Sequence, residues 1–551
     1  VGRTLAATVS TGPPHRFDGR YVLRSCKLRP GRRLRDTARF RDMVWRLAPA
    51  APQAHQDIGI LNFNLVPERF LIVAKELFYG LLTGPLPPGE DRPALASLRT
   101  YFKELVRFCN WLEKQPQDRF RRLESLSGSD LAAYQSYLLV SLPTKYQTRS
   151  HGRSAVRLLW RWRSQLTADR LTFDPRYAEG WSESHRRRRE NSTDRVPEEV
   201  MGSLYVWALR FIDDFAPDIL AASARWQAPD RRPPRHCGNR TVRQRLVRLL
   251  DSYLQQGRPL PATRFGQVHL EALAAEINCT ATGLSRIYQD LIVQAESAVG
   301  LDEGTPVDVP IHGRLGDRPW TERIYVNKGL HTSVRLLLRL LQSACYIIIA
   351  YLSGMRDAEV KHLRRGCVQV ELDESGHPYR WKVNSLAFKG EDDTKGVPAT
   401  WHVGEPVTRA IAVLEAIHPA PVDLLFTLPH PGSRPSDTEV SRSTLTNSRL
   451  RQFITWVNDH CDLSGRDDGI PDVDGRAWHL HTRQFRRTLA WYIARRLGGA
   501  VAGALQFRHH SIQMFEGYAK ARELHQTGEK SQVASSGRGP DGLQRYYEVA
   551  S

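Results

Sequence analysis

Residues 478–520, WHLHTRQFRRTLAWYIARRLGGAVAGALQFRHHSIQMFEGYAK, decide how the rest of the chain is read. Apolar side chains recur at helical spacing through Phe485, Leu489, Tyr492, Ile493 and Leu497, which predicts a helix over 481–497. Arg483 and Arg486 are three apart, so both can lie on one face of it. Gly498-Gly499 ends that helix, and AVAGALQF opens the next. Six arginines crowd the region: Arg483, Arg486, Arg487, Arg495, Arg496 and Arg508. The adjacent histidines His509 and His510 follow, and Tyr518 stands nine residues after His509. A guanidinium is planar, stays charged and pairs with two phosphate oxygens at once. A tyrosine hydroxyl can hold a phosphoryl group as an ester and so conserve bond energy. Together these residue types point to phosphoryl transfer.

Upstream, an apolar helix is expected over 332–352. It breaks at Ser353-Gly354 and resumes as MRDAEVKHL, with Arg356 and, one turn on, Glu359 placed to orient a basic neighbour. The segment 367–405 reads as a small sheet: CVQVEL, then GHPYRWKVNS, then VPATWHV. Between the last two lies AFKGEDDTKG, a polar turn offering Lys389 first and Lys395 as its rival.

The order of SGMR, lysine turn, Arg486, His509 and Tyr518 resembles the tyrosine recombinase (phage integrase) family. Its first box is usually written T-G-x-R-x-x-E and its second His-x-x-Arg, then His or Trp, then Tyr. The chain departs from that pattern in three places. Arg483 stands where His is usual, Phe507-Arg508 replaces Leu-Gly, and the step from Arg356 to the lysine turn is several residues long. The resemblance implies that Tyr518 attacks a DNA phosphate, forms a 3′-phosphotyrosyl linkage and releases a 5′-hydroxyl; a partner strand's 5′-hydroxyl then reseals it. Arg356 and Arg486 would stabilise the phosphate oxygens, Lys389 would protonate the leaving oxygen and His509 would bond the phosphate. Arg483 is too basic to act as a general base but can donate to phosphate. His481 is a substitute two residues ahead of the usual slot, and His510 rivals His509 by adjacency. No metal or nucleotide is implied as cofactor. The implied partners are double-stranded DNA, four protomers on two DNA sites and accessory DNA-bending proteins. Site-specific recombination by an integrase, excisionase-type or transposon enzyme is the leading function. The alternatives are an inactive or weakened DNA-binding member and a type IB topoisomerase.

Bulk properties agree with a polyanionic partner. The chain has 551 residues, 41% of them hydrophobic, and a formal charge of +20, which favours DNA, RNA or an anionic membrane surface. Seven cysteines are scattered without a CxxC pair, so neither a disulfide framework nor a zinc site is indicated. The apolar run 344–352 is too short to span a bilayer, so a cytoplasmic protein without membrane association is expected.

The fold class expected is mainly α with a small β-sheet: a helical core-binding domain, then a recombinase-type catalytic domain containing an inserted helical segment. Residues 1–95 form an N-terminal extension with a short helix near 66–82. Residues 96–180 form the helical DNA-binding domain, with helices over 97–114 (Ser97 as its cap), 129–140 and about 150–166. A basic linker, 181–194, carries Arg186, Arg187, Arg188 and Arg189; with Arg487 and Arg508 these are the expected DNA-backbone contacts. The catalytic domain runs from 195 to 520. It opens with a helix over 195–215 and is interrupted at about 216–325 by an insertion with helices near 241–255, 268–277 and 284–297. Further helices are expected at 406–417 and 444–459. The aspartates of 462–475 lack calcium-loop spacing and read as a surface loop. Residues 521–551 are polar and read as a disordered tail.

Overall fold

The computed structural model describes residues 15–53, 59–116, 122–167, 169–183, 193–227, 240–389, 391, 393, 395–418, 422–427, 440–508 and 515. It is predominantly helical with small antiparallel sheets and divides into two compact units, residues 1–188 and 189–551.

The first unit contains a two-stranded ribbon, β1 (Val44–Arg46) and β2 (Ile60–Asn62), and helices α1 (Glu68–Thr83), α2 (Leu95–Glu113), α3 (Gly128–Ser141) and α4 (Tyr146–Arg161). The periodic face of α2 is buried at Leu98, Phe102, Leu105, Phe108 and Leu112, as its spacing requires. Its N-cap is Ala94, so Ser97 lies inside the helix and caps nothing. Ser127 begins α3, and its backbone N–H donates to Asp130 Oδ2 at 2.9 Å. Residues 15–83, expected as a separate extension, share one core with the helices that follow. Val22, Phe40, Trp45, Phe63 and Phe78 belong to the same buried cluster as Phe102, Tyr134 and Trp162. Buried Glu76 ties the two parts by accepting from Thr167 N at 2.7 Å, and Lys75 Nζ donates to Arg41 O at 3.0 Å. The expected boundary at 95 therefore falls within a continuous core.

In the second unit, Pro197 precedes α5 (Glu198–Arg210), with Glu198 and Glu199 in its first turn complementing the helix dipole. A π-helical turn, Phe211–Phe215, carries the chain without a break into α6 (Ala216–Gln227). That run buries Trp207, Phe211, Phe215, Ile219 and Ala222 in the main core. The expected insertion is thereby narrowed at its start, because α6 is part of the host. A second, smaller core belongs to α7 (Arg240–Gln255), α8 (Leu270–Ile277), α9 (Ala281–Ile287) and α10 (Gln289–Val299). Beyond it, the hairpin β3 (Arg314–Leu315) and β4 (Arg318–Pro319) and buried Trp320 return to the main core; Trp320 Nε1 donates to Asp218 Oδ2 at 2.8 Å.

The centre of this unit is α11 (Val334–Ser353), capped at its start by the Ser333 hydroxyl and stopped by left-handed Gly354. By length and composition it could cross a membrane. However, 83% of its apolar window is buried within the protein, as a core helix requires. Around it lie α12 (Asp357–Lys361), the sheet β5 (Val368–Leu372), β6 (Pro378–Ala387) and β7 (Val397–Val403), then α13 (Glu405–Ile417), α14 (Ser443–Ser464), α15 (Thr482–Ala494) and α16 (Gly499–Gln506). The three strands pair in the order β5-β6-β7, all antiparallel, with Val383 opposite Val368 on one side and Trp401 on the other. Residues 466–475 form an irregular loop in which Asp468 pairs with Arg210 and Arg466.

Candidate active site

The first element of the site is the turn after α11. Gly354 has φ +65°, a conformation that costs an L residue about 1–2 kcal/mol. A Cβ there would also lie 2.9 Å from the Phe507 ring and 3.2 Å from Leu489. Glycine is needed both for the turn and for this close approach. Two residues later Arg356 caps α12: its backbone N–H donates to Glu359 Oε2 at 2.5 Å and its Nη1 to Oε1 at 2.8 Å. Glu359 is buried, whereas the Arg356 side chain stays 23% exposed. The carboxylate aims the guanidinium while leaving part of it open.

A buried polar network fixes α12. Asp357 accepts from Tyr346 Oη at 2.7 Å and Ser443 Oγ at 2.6 Å, and it pairs with fully buried Lys361 at 3.1 Å. Burial pushes the Lys361 amine below its ordinary range, and Asp357 opposes that shift. Lys361 and Asp357 match no catalytic motif, and the only sign of their pairing in the sequence is their i,i+4 spacing.

Arg486 links this turn to the second box. It is buried on α15, donates from Nη1 to Gly354 O and from Nη2 to Phe507 O at 2.5 Å, and lies 4.2 Å over the Phe507 ring centroid. Arg483, three residues earlier, is exposed, so one turn of helix places the two arginines in different environments. Arg487, expected on a DNA-facing surface, is buried at 4% exposure, because α15 turns that side into the core. His481 is the N-cap of α15: its N–H donates to Gln484 Oε1 at 2.8 Å. Its ring lies 2.7 Å from His479, which in turn lies 3.3 Å from Arg451. Burial, then His479, Arg451 and Arg483, lower the His481 pKa and favour the neutral ring.

The lysine turn joins β6 to β7, and both Lys389 and Lys395 are exposed in it. Phe388 packs just after α12: its ring meets that of His362 in a tilted contact, centroids 4.5 Å apart, and would sit 2.5 Å from a Cβ on Gly396, whose φ is +87°. Glu391, midway along the turn, pairs with Arg508 at 3.1 Å. Gln506 Nε2 donates to Ser353 O at 3.0 Å and to His402 O at 2.8 Å. The end of α16 thus touches the glycine turn, the third strand and the lysine turn. Glu391 and Gln506 were not singled out from sequence, because neither matches a chemical role.

Of the expected catalytic residues, Arg486 is tied to Gly354, two residues before Arg356, and the lysine turn is tied to Arg508 through Glu391. His509, His510 and Tyr518 lie outside the described residues, as do Arg186, Arg187, Arg188 and Arg189 and the tail. Phe507 and Phe515 are both fully buried in the main core and meet edge to face at 5.3 Å. Arg508 takes φ +52°. Among the described residues no cluster of three metal-ligating side chains occurs.

No family model and no curated protein matches the chain. Among solved structures, XerH site-specific recombinase bound to palindromic difH substrate, a post-cleavage complex, aligns over 83% of this chain and 82% of that chain at 10% identity and a TM-score of 0.35. XerH bound to difH substrate in a pre-cleavage complex aligns over 88% and 85% at 10% identity and 0.36. XerA recombinase aligns over 60% and 98% at 15% identity and 0.21.

Proposed function

We propose that the chain is a tyrosine-recombinase-type enzyme that cuts and rejoins duplex DNA through Tyr518. The observation that carries this reading is Arg486, whose buried guanidinium clasps the backbone of Gly354 on one side and of Phe507 on the other. The SGMR turn and the turn that ends α16 are thereby held at one point, and the Glu391–Arg508 pair draws the lysine turn to the same place.

In the proposed reaction the Tyr518 hydroxyl gives its proton to a neutral base, for which His481 is the described candidate, its oxygen forms a bond to the scissile phosphorus, and the bond to the 5′ oxygen breaks. Lys389, or Lys395 from the same turn, supplies the proton to that oxygen. Arg356, partly open and aimed by Glu359, donates to non-bridging oxygens; Arg486 contributes fixed positive charge behind them. Preorganised charge is the main resource for phosphoryl transfer. His509 bonds the phosphate, and Arg483 at the exposed start of α15 adds a further donor. His481, neutral by burial, is the nearest described base in sequence to the missing histidine slot. The ester retains the energy for resealing, so the scheme calls for neither metal nor nucleotide.

The test is a nicked suicide duplex built on a site enriched from a randomised pool. A denaturant-resistant protein–DNA adduct that is absent in Tyr518→Phe supports the proposal. Tight binding without adduct assigns the chain to DNA binding alone. Joining of two duplexes, rather than relaxation of supercoils, separates recombination from topoisomerase action.

A further inference from the structure

We propose that residues 240–301 form a helix-turn-helix module that reads the sequence of duplex DNA through the exposed face of α9. This goes beyond the cleavage reaction and does not depend on Tyr518.

The geometry begins at the turn. Only Asn278, Cys279 and Thr280 separate α8 from α9. Asn278 adopts the left-handed conformation, φ 56° and ψ 56°, which asparagine tolerates better than most residues. Its N–H and that of Cys279 close onto Ala275 O at 3.2 Å and Ala274 O at 2.9 Å, ending α8 with its carbonyls satisfied. The Thr280 hydroxyl then accepts from Gly283 N at 3.3 Å and starts α9 in a new direction. Two helices joined by three residues with a left-handed first position are the build of a DNA-reading helix pair.

Burial agrees. Leu273, Ala274, Ile277 and Cys279 line the inside of the corner, and Leu284 and Tyr288 face them from the second helix. The α7 and α10 helices close this small core, so the pair stands on its own support. On the other side, Thr282, Ser285 and Arg286 are exposed. They are spaced i, i+3 and i+4, which places them on one side of α9. All three are hydrogen-bonding types that contact base edges: arginine for guanine, hydroxyls for either base. Across 240–301 seven arginines face five carboxylates, and Arg240, Arg243 and Arg248 are exposed along α7. That surplus suits a phosphate backbone flanking the reading face. A protein partner is the competing occupant, but the polarity of these three side chains disfavours it.

The experiment selects sites from a randomised duplex pool with the full chain and with the triple variant Thr282→Ala/Ser285→Ala/Arg286→Ala. All three positions are exposed, and an unchanged thermal midpoint verifies folding. The wild type is expected to enrich a block of base pairs that the triple variant no longer specifies, and its affinity for the enriched duplex should exceed the variant's by tenfold or more. Restoring Arg286 alone should recover part of that preference. Equal affinity and the same enriched sequence in both proteins overturn the proposal. Covalent adduct formation is scored separately on a suicide duplex. Loss of the adduct with a surviving sequence difference sinks only the cleavage reading; an adduct with no sequence difference sinks only the module.

Discussion

Arg486 donates a hydrogen bond to the carbonyl oxygen of Gly354, across 132 positions of sequence. The side chain is buried, and its second nitrogen is bound to Phe507 O. A lysine carries the charge but cannot fork between two carbonyls. Arg486→Lys should therefore remain folded yet lose most adduct formation. Arg486→Ala should in addition destabilise the second unit by about 2–4 kcal/mol, since it leaves a cavity and unsatisfied carbonyls. Urea denaturation beside the suicide-substrate assay checks both. Wild-type cleavage by Arg486→Lys would remove the guanidinium from the site.

Gly354 faces the same contact from the other side. Gly354→Ala introduces a methyl group 2.9 Å from the Phe507 ring at a residue with positive φ. Strain and overpacking together should cost about 2–4 kcal/mol. A loss below about 0.5 kcal/mol, within the range of an ordinary surface change, would mean the ring has room to move.

The Glu391–Arg508 pair is partly exposed, so its contribution to stability should be small, about 0–1 kcal/mol. Its expected effect is on rate. Glu391→Gln should slow adduct formation by releasing the lysine turn, while the thermal midpoint stays put. The same rate loss in Arg508→Gln, with no further loss in the double variant, identifies one shared interaction. Additive losses would show that the two residues act apart.

Two buried histidines make a pH prediction. Burial lowers His418 and His460 to about 4, with Arg365 adding to the shift at the first and His331 and Arg466 at the second. The folded state therefore binds these protons less readily than the unfolded chain, whose histidines titrate near ~6.5. Stability is intact above that pH and falls as pH drops from about 6.5 toward 4. The urea midpoint of the second unit should decline across that window, and His418→Gln should flatten the decline. Gln342 Nε2, 3.2 Å from the ring, is the neighbour most exposed to this change.

Much of this architecture was legible in the chain because its signals are local. The face of α2, the stop at Gly354 and the alternation in β6 and β7 follow from spacing and from glycine. What escaped depends on contacts distant in sequence. Residues 15–83 read as an arginine-rich extension, yet Trp45, Phe63 and Phe78 complete a core whose other half lies beyond residue 98. Arg487 reads as one of six basic residues, and only the packing of α15 puts it inside. The chemistry of Arg356 was visible in SGMR, whereas Glu391 and Gln506, which align the site, have no motif to announce them. The α8–α9 corner was not legible: the helix expected near 284–297 is split at Tyr288 into the end of α9 and most of α10, and the start of α9 depends on the Asn278 turn and the Thr280 cap.

Gly503 lies in α16 beneath the Phe515 ring. A Cβ on Gly503 would fall 2.1 Å from that ring, so even alanine must expel it. Phe515 stands three residues before Tyr518, and its burial is the nearest fixed point to the proposed nucleophile. In an ordinary helix Gly→Ala gains about 0.5–1 kcal/mol through propensity, so two opposed effects can be read apart. Gly503→Ala should keep DNA affinity within twofold and keep most of the helix content, while adduct formation drops by at least tenfold. Gly503→Ala combined with Phe515→Ala should return the stability lost to the clash but not the activity, because the anchor is then absent. Full adduct formation in Gly503→Ala would mean that Tyr518 reaches its phosphate without Phe515 in place.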